Sequence, residues 1–83
     1  MELPHYRSHK VVQAIRIEYV RVLEPGARGA MLTPYDASYP AFQVNHVFVI
    51  RNQPYPGGYY IRYKDGYESF SPAGAFEDSY ERV

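Results

Sequence analysis

Eighty-three residues make one domain near the lower size limit for a chain folding alone, and the absence of cysteine excludes disulfides and thiolate metal sites. Nine Lys/Arg balance nine Asp/Glu, and zero net charge argues against a dedicated nucleic-acid binder, where a basic excess drives phosphate contact. Ten tyrosines and four phenylalanines must supply the missing stability, each buried ring removing about 150–250 Å² from water. Self-association into a homo-oligomer is the expected second source.

The charges are unevenly placed. Residues 1–64 hold eight basic and four acidic side chains, whereas residues 65–83 hold one and five. The opening MELPHYRSHK has no apolar signal core, and the longest apolar run, Val47–Ile50, is too short for a bilayer. A soluble, intracellular protein without membrane contact is expected.

In chain order, residues 1–8 read as a loose leader, since Pro4 opposes regular structure. Lys10 to Leu23 is rich in Val and Ile without Gly or Pro, and predicts a strand. Apolar groups occur on both of its faces, which implies partial cover on both sides or a bulge near Arg16. Glu24 to Gly29 is a turn whose Gly26 and Gly29 can take positive φ. Ala30 to Thr33 begins a second strand, closed by Pro34, and Tyr35 to Pro40 is a loop.

Residues 41–51, AFQVNHVFVIR, admit two readings. β-branching favours a strand, and a short helix capped by Asn45 is the alternative. Asn52 to Gly58 is a turn-rich connector. Tyr59–Lys64 and Tyr67–Phe70 then flank Asp65-Gly66, a hairpin signal. A two-residue loop sets Ile61 opposite Phe70, while a three-residue loop with a Gly bulge sets Arg62 opposite Glu68. Either way Tyr60 and Arg62 share the face away from Ile61. Ser71-Pro72 reads as a helix start, with Ser71 capping and Pro72 in the first turn. The helix is short because Gly74 weakens it, and Phe76 and Tyr80, four apart, fold onto the hairpin from one face.

Together these elements predict a single α+β domain over residues 1–83. It has a small antiparallel sheet of about four strands and one short C-terminal helix, with residues 57–83 forming a self-packing hairpin-plus-helix unit.

That unit carries a resemblance. Gly57, Gly58, Tyr59, Tyr60, Tyr63, Asp65, Gly66, Tyr67, Ser71, Pro72, Ala73, Phe76, Glu77 and Tyr80 spell a pattern similar to the end of a family of small tailed-phage and prophage proteins. Tyr6 to Ala14 is similar to their beginning. The resemblance covers about half the chain. It implies a phage or prophage accessory protein working in the host bacterial cytoplasm, and transfers no activity residue by residue. In outline the unit also resembles a phage class that sequesters cyclic-nucleotide immune signals as oligomers. That likeness is architectural only.

Candidate chemistry is sparse. His5 and His9 lie four apart but lack a third metal ligand, and His46 amid Val and Phe reads as a hydrogen-bonded, partly buried side chain. Glu77, Asp78 and Glu81 read as a solvated acidic surface, and Gly26 and Gly29 lack the Lys and helix of a phosphate loop. No catalytic residue, metal or cofactor is expected. Tyr60, Arg62, Lys64 and Tyr67 form an aromatic-cationic patch under the two-residue turn, suited to stacking a base and clamping a phosphate. The expected function is therefore binding: an anti-defence protein that sequesters a cyclic-nucleotide signal or masks a host defence protein. A minor phage structural or assembly protein is the alternative, and a small phosphodiesterase stands third.

Overall fold

The computed structural model describes residues 1–83 with the exception of Gly26. The chain enters as β1 (His5–Arg7), turns, and returns as the long β2 (Val11–Val22). β1 and β2 pair antiparallel, with Tyr6 opposite Val12, and the Ala14 amide donates to the Pro4 carbonyl at 2.9 Å. The first eight residues are thus not a loose leader. Leu3 is 2% exposed, and burying a leucine contributes about 1.5–3 kcal/mol. Pro4 does not prevent pairing, because proline keeps its carbonyl acceptor.

β2 leads through the Glu24–Gly29 turn into β3 (Ala30–Pro34), then through the Tyr35–Pro40 loop into β4 (Phe42–Val44). Gly29 takes the positive φ of +89°, and a Cβ there would meet the Val44 carbonyl oxygen at 1.9 Å; the parallel expectation for Gly26 falls outside the described residues. The register shift against β3 falls between Ile17 and Tyr19, slightly beyond Arg16.

After β4 the chain forms α1 (His46–Asn52) and not a continued strand. Asn45 decides this, its Oδ1 accepting from the Phe48 amide at 2.8 Å. One capped turn that buries Phe48 to 4% exposure outweighs the β-branched preference of Val47, Val49 and Ile50. His46 lies exposed at the helix start, not partly buried.

β5 (Tyr59–Arg62) and β6 (Glu68–Ser71) form the expected hairpin. Its register sets Arg62 opposite Glu68 and Ile61 opposite Ser69, so the loop is the three-residue type with Gly66 at φ +92°. α2 (Ala73–Ser79) follows, one residue later than expected. Ser71 stays in β6, its Oγ donating to the Pro72 carbonyl at 3.1 Å, and no side chain caps the helix. The chain closes with β7 (Glu81–Arg82), paired antiparallel to β1.

The result is an α+β protein. Its open antiparallel sheet has seven strands and its helices number two among the described residues, against the expected four and one. β2 organises it, pairing with β1, with β5 over Gln13–Arg16 and with β3 over Ile17–Val22. The two-faced pattern of β2 becomes two cores. Ile15 and Ile17 pack with Leu3, Leu32, Phe48 and Tyr60 in one. Val12 and Ala14 pack with Tyr59, Ile61 and Phe76 in the other.

Candidate functional site

Antiparallel pairing of β2 with β5 ends at Gln13–Arg62. Beyond that pair the two strands run into different hairpin tips, one at Ser8–Lys10 and the other at Lys64–Gly66. A cleft opens between them, walled by Val11 and Val12 on one side and Tyr63 and Lys64 on the other. It has two lobes. One, of about 610 Å³, adds Lys10, Asp65 and Tyr67. The other, of about 520 Å³, adds His5, Gln13, Arg62 and Gly66.

The cations here are available. The sole contact between a basic and an acidic side chain within 4.0 Å among the described residues is His5 with Glu2 at 3.8 Å, so Lys10, Arg62 and Lys64 line the cleft without a bound carboxylate. Register alone would give Arg62 to Glu68. The Glu68 carboxylate instead accepts the Tyr60 hydroxyl. Arg62 turns to neutral acceptors: its Nε donates to Gln13 Oε1 at 3.1 Å and its Nη2 to the Met1 carbonyl at 2.7 Å. Lys10 Nζ sits 5.2 Å from the centre of the Tyr63 ring, an attraction of about 0.5–1 kcal/mol at an exposed site. Asp65 is turned to its own loop, its Oδ1 accepting the Tyr67 amide at 2.9 Å. The Tyr63 and Tyr67 rings lie 5.8 Å apart, and Tyr67 is 50% exposed.

Of the four residues expected to bind, Arg62, Lys64 and Tyr67 therefore line this cleft. Tyr60 does not. It is 2% exposed, with Phe42 and Phe48 at ring distances of 4.8 and 5.7 Å. Burial, and then the hydrogen bond to Glu68, holds its phenol well above the ordinary tyrosine range. The three-residue loop also moves Tyr67 to the face of Ile61, so the patch imagined for the two-residue turn is divided between two faces.

Lys10, Val11 and Tyr63 complete the site without having been singled out in the sequence. The available signal was indirect: the start of one antiparallel strand lies beside the end of its neighbour, which places Lys10 near Lys64 once β2 and β5 are known to pair. Elsewhere, Glu77 is engaged by the Tyr59 hydroxyl at 2.8 Å. His5 and His9 gather no third ligand, no group of three metal-ligating side chains being present among the described residues. Chemically, the cleft offers fixed positive charge beside ring faces and an apolar floor. No helix among the described residues is long and apolar enough to cross a membrane. The chain matches no protein-family model, and neither the curated proteins nor the solved structures yield a match.

Proposed function

We propose that the chain is a phage or prophage accessory protein of the host bacterial cytoplasm that acts by stoichiometric binding. It holds a small cyclic-nucleotide defence signal in the cleft without turning it over. The observation that carries this reading is the convergence of Lys10, Arg62 and Lys64, none paired to a carboxylate, with the rings of Tyr63 and Tyr67. Cations engage phosphate and tyrosine faces stack on bases. The lobes are also of the size that small ligands fill.

A panel of cyclic mono- and dinucleotides and cyclic ADP-ribose isomers tests the reading by thermal shift. At least one member raises the melting temperature and returns chemically intact after the protein is denatured. Lys10→Ala with Lys64→Ala removes the shift and leaves ligand-free melting nearly unchanged, because both side chains are exposed. Absence of any shift across the panel, or recovery of a cleaved ligand, overturns it.

A second reading is an assembly protein of the phage particle, supported by α1, which leaves Val47 59% and Ile50 62% exposed. The two lie three apart on the helix and form one apolar patch suited to contact with a second copy or another particle protein. This reading predicts the chain in purified virions, where the first predicts its absence.

A further inference from the structure

We infer that the cleft takes a ligand bearing two anionic groups, one on each face of the sheet, and not a ligand with a single charge. The inference rests on the binding reading above and specifies its ligand. Arg62 ends β5 and Tyr63 follows it; Tyr63 packs against the core of Tyr59 and Ile61, and strand alternation puts Arg62 on the face opposite Ile61. Lys10 lies over the Tyr63 ring, so its charge belongs to the Tyr63 face. Arg62 belongs to the other, where it reaches Gln13, its cross-strand partner. The two lobes reflect this division. Lys10 lines only the first and Arg62 only the second, while Val11, Val12, Tyr63 and Lys64 are common to both.

Lys10 and Arg62 line different lobes, so each calls for a phosphate of its own. Two phosphates joined through a frame that passes the open end of the strand pair meet both. Lys64, exposed at the hairpin tip and common to both lobes, serves either. Arg62 is poised for such an exchange. Its present partners, the Met1 carbonyl at 2.7 Å and Gln13 Oε1 at 3.1 Å, are neutral. A phosphate offers the guanidinium an opposite charge and two acceptor oxygens at once, which a lone neutral carbonyl does not, so an incoming phosphate displaces the Met1 carbonyl.

Calorimetric titration of the full chain with 3′,5′-cyclic AMP and with cyclic di-AMP tests this: the two share base and phosphodiester chemistry, the second doubles both charge and base, and the charge variants separate the two contributions. Cyclic di-AMP is expected to bind at least tenfold tighter. Arg62→Gln and Lys10→Gln each narrow that gap to within about threefold, both affinities being measured on the same variant. Lys10 is exposed, so that variant stays informative even if Arg62→Gln folds poorly. Pyrophosphate, whose charges are adjacent, is expected to bind no better than cyclic AMP. Equal affinities for the two nucleotides, or pyrophosphate binding as tightly as cyclic di-AMP, overturn the two-anion assignment and leave the binding reading standing. If neither nucleotide binds, the assignment falls, and the wider thermal-shift panel judges the binding reading separately.

Discussion

Tyr59 and Tyr60 are neighbours on β5 whose rings enter opposite cores and whose hydroxyls end on carboxylates, Glu77 for one and Glu68 for the other. Burial first, and the hydrogen bond to the carboxylate second, raises both phenols above their ordinary value. A raised acid is neutral in the folded protein while the unfolded chain ionises near pH 10. Its stabilisation is therefore complete below about pH 10 and is lost as pH climbs toward the folded-state values. Melting temperature should stay level between about pH 7 and 9 and fall above about 10. The Tyr59→Phe, Tyr60→Phe double variant should start less stable and fall less steeply, and equal slopes for the two proteins would contradict this account. At this scale the sequence misled at Tyr60. A Tyr beside Arg, Lys and Tyr reads as a contact surface, and only pairing with Ile15 turns it inward.

Phe76 does for α2 what no cap or propensity does. It is 2% exposed, stacks on Tyr59 at 4.3 Å and on Tyr80 at 4.6 Å, and meets Tyr6 edge-on at 4.9 Å. A seven-residue helix with no side-chain cap has little stability of its own. Phe76→Ala should cost about 3–5 kcal/mol, the usual penalty for truncating a buried aromatic. Chemical denaturation would measure it, and a loss below about 1 kcal/mol would mean that α2 is held by something else. Elements with local causes were readable: Asp65-Gly66 gave the hairpin and Phe76 gave the helix face, although Tyr80, which stacks on it, lies in extended backbone just past Ser79. The strand β1 was not, because three residues become a strand only when a neighbouring edge accepts them. Nor was α1 preferred, since one Asn side chain outweighed a β-branched run.

Across the whole molecule, β2 contributes Val12 and Ala14 to one core and Ile15 and Ile17 to the other. Neither core can be lost while that strand keeps its place, so the chain should unfold in one cooperative step. Phe48→Ala and Phe76→Ala, from opposite cores, should each shift the same single transition, and amide exchange should be slowest around Ala14–Ile17. Two resolved transitions in either variant would refute the shared spine. The candidate site exists only at this scale. Lys10 and Lys64 line one cleft because two hairpins distant in sequence lie side by side and part at their tips, and no local pattern encodes that. The charge types were legible, but their convergence was not.

The pairing of β1 with β7 closes nearly the full length of the chain into a ring through two residue pairs, Tyr6–Arg82 and Arg7–Glu81. Loop-closure entropy grows with the length enclosed, while so short a clasp recovers few hydrogen bonds and buries neither Glu81 nor Arg82. That seam should therefore fray first among the strand contacts, releasing the C-terminal tail while the interior stays intact.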